Sequence, residues 1–168
     1  MSSTLIISVS GLRGITGSGL TSQVIDDYTA AYAAWLDASL DDGAERAAVL
    51  VSRDGRAGGA EIARQVADGL SRAGFDVLLG GVVATPTVGV LIRHLQLSGA
   101  VQITASHNPA EYNGMKLYTS RGRILNQQQG EQVLRGYELK NYVVGVRCGS
   151  TSELDDNRSE HIRLLMAS

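Results

Sequence analysis

Apolar residues in this chain follow two rhythms. Short apolar runs at Leu5 to Val9, Ala47 to Val51, Phe75 to Leu79 and Gly99 to Thr104 have the length of buried strands. Between them, apolar positions recur at helical spacing, first at Val24, Ile25, Tyr28, Tyr32, Trp35 and Leu36, then at Ile62, Val66 and Leu70. Thr21 or Ser22 caps the first helix, which runs to about Leu40 in a region that Gly43 ends. The second helix fits about Gly59 to Ala73, with Gly74 as its stop. Gly80-Gly81 breaks the third strand, and Thr85-Pro86 opens a third helix that reaches about Leu95.

This alternation predicts an α/β fold in three layers, a mostly parallel (mixed) sheet flanked by helices. In such sheets the functional loops lie beyond the carboxyl ends of the strands. Three polar segments take that position: the glycine-dense loop Gly11 to Gly19 with Arg13, the cluster Ser52-Arg53-Asp54-Gly55-Arg56, and the run that holds Ser106. They are distant in sequence and expected to converge in space.

The last third has a different texture. Met115 to Tyr118 and Ile124-Leu125 flank Thr119 to Arg123, which suggests a β-hairpin with a basic turn. Asn126 caps a helix to about Tyr137. The stretch from Lys140 to Asp156 gives no clear element. Asn157 caps a terminal helix with Ile162, Leu165 and Met166 on one side. No internal repeat or low-complexity tract occurs.

Composition narrows the function classes. At 168 residues the chain has room for one domain with a sizeable core. Its 20 glycines accompany only 2 prolines, a balance of tight turns within a folded protein and not of a linker. A formal net charge of −2 with scattered basic residues argues against nucleic acid and against an anionic membrane surface as partners. Cys148 has no second cysteine to pair with, which fits a reducing compartment and excludes a multi-cysteine zinc site. Met1 to Thr4 lacks the basic start of a secretory signal, and no run is long enough to span a bilayer, so the cytoplasm is expected.

The candidate chemistry centres on Ser106 in Thr104-Ala105-Ser106-His107-Asn108-Pro109. A serine hydroxyl is a poor nucleophile without a base, a cation or an attached phosphate. Pro109 restrains the backbone and holds Asn108 extended. The same residues also make good turn chemistry, so a turn serine stands beside the nucleophile reading. Lys116 follows the tight-turn signal Asn113-Gly114, which would fold the chain back toward the serine loop. A desolvated lysine there can serve as acid or base, and an exposed strand lysine is the alternative. Arg13, flanked by glycines, suits bidentate phosphate binding or a surface ion pair. Arg53 and Asp54 are expected to pair with each other or to orient neighbouring loops, a structural role. Of the histidines, His94 and His161 fall in helices, and only His107 lies in a candidate site. No Gly-x-x-x-x-Gly-Lys-Ser/Thr or full dinucleotide fingerprint is present, and no His/Asp/Glu cluster offers a complete metal site.

Together with Tyr112-Asn113-Gly114-Met115-Lys116, the serine run resembles the phosphoserine loop of the α-D-phosphohexomutase family, the phosphoglucomutases, phosphomannomutases and phosphoglucosamine mutases. Ser10-Gly11-Leu12-Arg13-Gly14 is similar to that family's N-terminal signature, Ser52 to Arg56 to its second-strand loop, and Ala84-Thr85-Pro86-Thr87-Val88 to a third motif. The four matches occur in the family's order and cover most of the chain to about Asn126.

The resemblance implies a first domain of the phosphoglucomutase type, with Ser106 phosphorylated in the active enzyme. Phosphate would pass between O1 and O6 of a hexose phosphate through a hexose 1,6-bisphosphate that activates the enzyme and forms as its intermediate. Lys116 would be a general acid/base, with His107 and Arg13 supporting phosphate and sugar. Asn108, Arg53 and Asp54 would support the loops or bind phosphate, and Mg²⁺ would contact the phosphate of Ser106. Family members have four domains, and the acidic metal loop belongs to the second. Its Asp-Gly-Asp pattern is absent, since Asp155-Asp156 lacks the glycine, and Ile7-Ser8-Val9 replaces an aromatic-glycine lead-in. The expectation is therefore a single domain over 1–168, the first of four, with 157–168 as the helix toward the second. The remaining domains and a hexose phosphate are its partners, and alone it would be inactive. The alternative is a non-catalytic phosphosugar- or protein-binding domain that retains the loop. A serine hydrolase is disfavoured because no Gly-x-Ser-x-Gly elbow surrounds Ser106.

Overall fold

A computed structural model describes residues 5–9, 11–40, 47–140, 142 and 148–166. In chain order the elements are β1 (Ile6–Ser8), β2 (Gly11–Ile15), α1 (Ser22–Ser39), β3 (Val49–Arg53), α2 (Gly59–Arg72), β4 (Val77–Val82), α3 (Thr85–His94), β5 (Gly99–Ile103), β6 (Tyr112–Thr119), α4 (Gln127–Leu139), β7 (Thr151–Glu153) and α5 (Ser159–Met166). Ser10 of the N-terminal signature, Gly43, Met1 to Thr4 and the side chain of Leu165 lie outside the described residues.

Among these residues the strands form one seven-stranded sheet in the order β1-β2-β6-β5-β3-β4-β7. Neighbours β5, β3, β4 and β7 run parallel, while β1, β2 and β6 alternate antiparallel. The mixed, mainly α/β architecture expected from the rhythm is therefore present. Val49, Leu50 and Val51 are all buried because both faces of β3 are covered. Odd and even strand positions feed different cores. Val51, Ile103, Met115 and Leu117 pack with Tyr28, Tyr32 and Leu36 of α1, Ile62, Val66 and Leu70 of α2, and Val133 of α4. Leu50, Ala100 and Tyr118 pack with Val88, Leu91 and Ile92 of α3 on the other face. The α5 helix joins α3 through a 2.7 Å Thr87 Oγ1–His161 Nδ1 hydrogen bond.

Helix starts follow side-chain chemistry. The Thr21 hydroxyl accepts from Val24 N at 3.3 Å, and Asn126 and Gln129 form a reciprocal capping box. Asp156, not Asn157, caps α5, with its carboxylate accepting from Arg158 N and Ser159 N, both at 3.0 Å. Asn157 instead reaches back to donate to the Gly80 carbonyl at 2.6 Å.

Glycine produced most of the differences from expectation. Gly11 to Ile15 is strand β2 and not a loop, because its glycines let it lie close against β6. Gly80-Gly81 does not end β4 but sits inside it, where the register with β3 shifts between Val51 and Ser52. Asn113-Gly114 lies within β6, so the chain reverses earlier, in residues 104–111. The hairpin at 119–123 is present but short: Tyr118 bridges Ile124, with Thr119 N donating to Arg123 O at 2.8 Å and Leu125 N to Leu117 O at 3.1 Å. β7, missed in the unassigned stretch, is a wholly exposed Thr-Ser-Glu edge strand.

The chain steps from β3 through α2 to β4, then returns through α3 to β5 on the opposite side of β3. The two connecting helices cover opposite faces of the sheet, so a crevice opens at the carboxyl ends of β3 and β5, the usual ligand position of such sheets. No helix among the described residues is long and apolar enough to cross a membrane.

Candidate active site

The serine loop leaves β5 at that crevice. Its floor is tied to β3 by Asp54 N, which donates to Ile103 O at 3.0 Å. Ser106 occupies the left-handed region at φ 56, a conformation that serine rarely takes. Its own N–H donates to Thr104 Oγ1 at 3.1 Å, and Asn108 donates to Ala105 O through both its backbone N (3.1 Å) and its side-chain Nδ2 (2.8 Å). The outcome is an exposed Ser106 hydroxyl 3.2 Å from Nδ1 of exposed His107. His107 accepts that proton or donates one, according to its tautomer.

Lys116 and Arg13 arrive on β6 and β2. Leu12 and Met115 point into the core, so Arg13 and Lys116 project to the opposite face. Across the ladder Arg13 faces Gly114, and Lys116 faces Gly11. A Cβ on Gly11 would fall 1.9 Å from Met115 O and one on Gly114 2.3 Å from Leu12 O, so only glycine allows this approach. Arg13, Lys116, Ser106, Thr104, Gly11 and Ser8 line one pocket. Three expected site residues thus meet, Lys116 from a strand as expected and Arg13 from strand β2 and not from a loop. The depression they line is open to solvent and encloses only about 20 Å³, about the room of one water, so it does not surround a sugar.

Arg53 and Asp54 are not paired through their charged ends: Arg53 Nη1 reaches only the Asp54 carbonyl, at 3.2 Å. The Asp54 carboxylate turns to Arg56, accepting from its backbone N at 3.0 Å and lying 3.3 Å from its Nε. The remaining guanidinium donors enter the serine loop. Nη1 donates to Pro109 O (2.7 Å) and Tyr112 O (3.1 Å), and Nη2 to Ser106 O (2.9 Å) and Asn108 O (2.7 Å). Arg56 had no assigned role in the sequence. Its spacing from Asp54 signalled an Asx-type turn, but its loop partners lie some fifty residues away.

Cationic groups therefore face the serine, and the nearby carboxylate is already neutralised, an arrangement that suits a phosphate. Among the described residues no group of three His, Cys, Asp or Glu side chains could hold a metal ion. The described side chains do not by themselves fit a Mg²⁺ site.

Residues 5–142 match the family model described as phosphoglucomutase/phosphomannomutase, α/β/α domain I. A phosphoglucosamine mutase of Alkaliphilus metalliredigens is 34% identical over 157 residues, which is 90% of this chain and 34% of the relative. One from Kocuria rhizophila is 32% identical over 159 residues, 94% of this chain and 35% of the relative. A phosphoglucomutase/phosphomannomutase family protein of Burkholderia thailandensis superimposes with a TM-score of 0.71 at 29% identity, covering 89% of this chain and 34% of that one. The chain spans about a third of the length of the curated relatives it matches.

Proposed function

Since the chain belongs to the phosphoglucomutase/phosphomannomutase family, matching its α/β/α domain I, we propose that Ser106 carries the phosphate of a hexose-phosphate mutase. The observation that carries this reading is the convergence of Ser106, Lys116 and Arg13 on one pocket at the carboxyl end of the sheet. In the proposed reaction a hydroxyl of a hexose monophosphate attacks the phosphorus of phosphoserine. The bond from phosphorus to Ser106 Oγ breaks, a bond to the sugar oxygen forms, and the hydroxyl proton leaves to a base. The hexose 1,6-bisphosphate then reorients and returns its other phosphate to Ser106, so phosphate moves between O1 and O6.

Lys116 is the proposed acid and base, and Arg13 the proposed bidentate phosphate ligand. His107 supports the Ser106 oxygen, while Asn108, Arg53 and Asp54 shape the loops around it. Such a reaction depends on positioning and charge neutralisation, which this cationic pocket supplies. Mg²⁺ would meet this chain only at the serine phosphate, so its protein ligands would come from other residues.

The chain is read as one domain, the first of four, with residues 157–168 leading to the second. The cytoplasm is the proposed compartment. A pocket this small gives half a site, so the chain alone is expected to show no useful turnover of glucose 1-phosphate plus glucose 1,6-bisphosphate. The longer protein that contains it is expected to make glucose 6-phosphate, and Ser106→Ala to abolish this. Ordinary mutase turnover by the chain alone would refute the half-site reading. Undiminished activity after Ser106→Ala would refute the phosphoserine and favour a binding domain.

A further inference from the structure

We infer that Arg56 is the positioning residue of the serine loop, a cationic clamp that holds Ser106 in its left-handed conformation without touching the phosphate. The functional part of this inference rests on the phosphoserine reading above. Its geometric part stands on the hydrogen bonds alone.

A guanidinium has five N–H donors in a fixed planar fork. In Arg56 the four terminal ones donate to the carbonyls of Ser106, Asn108, Pro109 and Tyr112, and Nε lies against the Asp54 carboxylate at 3.3 Å. Four carbonyl oxygens aimed at one point repel one another unless a cation sits there. The side chain of Arg56 is only 16% exposed, and Asp54 at 3.3 Å balances its charge. Ser106 itself is gripped on both sides, its N–H by Thr104 Oγ1 and its carbonyl by Arg56 Nη2. A serine at φ 56 needs such restraint, because its intrinsic preference lies elsewhere.

Two consequences separate this role from phosphate binding. With its four terminal donors on carbonyls and Nε turned to Asp54, Arg56 offers no terminal donor to a substrate, so its loss slows phosphate transfer without weakening bisphosphate binding. Lysine, with three donors and no fork, cannot replace it. A misplacement of the nucleophile by about 1 Å costs roughly 10²-fold in rate.

Arg56→Ala and Arg56→Lys are compared with the unaltered chain by amide hydrogen exchange, with and without guanidinium chloride. Residues 104–112 are read separately from β3 and β5. The loop amides are expected to exchange at least roughly ten-fold faster in both variants while the strands keep their protection. Added guanidinium is expected to restore the loop in Arg56→Ala and not in Arg56→Lys. Unchanged loop protection overturns the clamp, and so does an equal loss in loop and strands, which would make Arg56 a residue of general stability. Phosphate loading of Ser106 from glucose 1,6-bisphosphate is measured alongside in the longer protein that contains the chain, by intact mass. Loading roughly 10²-fold slower in Arg56→Ala at the same half-saturating concentration is expected, and equal rates overturn the positioning role. Absence of loading in the unaltered longer protein counts against the phosphoserine reading alone, and the clamp is then decided by exchange.

Discussion

Lys116 faces Gly11 across the β2–β6 ladder. Arg13 faces Gly114 in the same ladder, so each cation of the pocket stands opposite a residue with no side chain. The two strands can therefore lie close while the long side chains keep room to bend toward Ser106. Gly114→Ala would place a methyl 2.3 Å from Leu12 O and 2.9 Å from Arg13 Cα, and backbone must move to admit it. A loss of about 1–3 kcal/mol is expected in denaturant unfolding, with slower phosphate transfer through Ser106. Full stability and full transfer would show that the close approach is dispensable.

Lys116 is half-buried, and among the described residues no carboxylate pairs with it. Its cross-strand neighbour on the other side, Gln102, already donates to Val83 O at 3.1 Å and accepts from the Ser52 hydroxyl. Lys116→Gln is accordingly expected to change stability by less than about 0.5 kcal/mol. In the longer protein it should remove phosphate transfer from Ser106 to glucose 1-phosphate. Thermal unfolding and a transfer assay on the same sample check both halves, and a large loss of stability would assign Lys116 to the fold instead.

The left-handed Ser106 leaves stability unclaimed. Glycine takes φ 56 without a steric penalty, so Ser106→Gly is expected to gain up to about 1 kcal/mol, which raises Tm by roughly 2–4 °C in a chain of this size. Ser106→Ala keeps the Cβ and should not show the gain. A lower Tm for Ser106→Gly would mean that the serine hydroxyl, and not the backbone, dominates the loop.

Away from the site, buried Asp27 of α1 accepts from Gln23 Nε2 at 3.0 Å and from the Lys140 ammonium and Tyr142 hydroxyl. Burial alone would raise its pKa, but the bonds from Lys140, Tyr142 and Gln23 outweigh it and hold the carboxyl below the usual carboxylate range. A carboxyl depressed in the folded state stabilises fully above its unfolded pKa of about 3.9 and loses that contribution as pH falls through the folded value. Tm should therefore drop as pH is lowered below about 4. Asp27→Asn should flatten that limb and cost about 1–3 kcal/mol near neutrality. Lys140 is largely exposed, so added salt should weaken only the ion-pair part.

Period and capping made most of the scaffold readable. Thr21, Gly74, Pro86 and Asn126 mark helix boundaries through local chemistry, and Val49 to Val51 declares a strand covered on both faces. Glycine was ambiguous, because Gly11, Gly81 and Gly114 were read as turn formers while their strands use them for a bulge or a close approach. That distinction depends on a neighbouring strand that local sequence does not contain. The same is true of the site. Ser106, Lys116 and Arg13 stand out by motif; of the two roles open to Asp54, pairing with Arg53 or orienting neighbouring loops, its carboxylate takes neither Arg53 nor a loop directly but Arg56. Arg56 itself acts on carbonyls of Ser106, Asn108, Pro109 and Tyr112, which only the folded chain brings to it. β7 escaped because a three-residue polar edge strand has no apolar signature.

The proposed chemistry of this chain turns on one hydroxyl, that of Ser106. The most direct measurement is phosphopeptide mapping of the protein after exposure to glucose 1,6-bisphosphate, beside Ser106→Ala treated identically. A single phosphate on Ser106 that disappears in Ser106→Ala, and that glucose 1-phosphate discharges in the longer protein, is the predicted result. A phosphate mapped to another residue, or a Ser106 that remains unmodified while the longer protein turns over substrate, would contradict it.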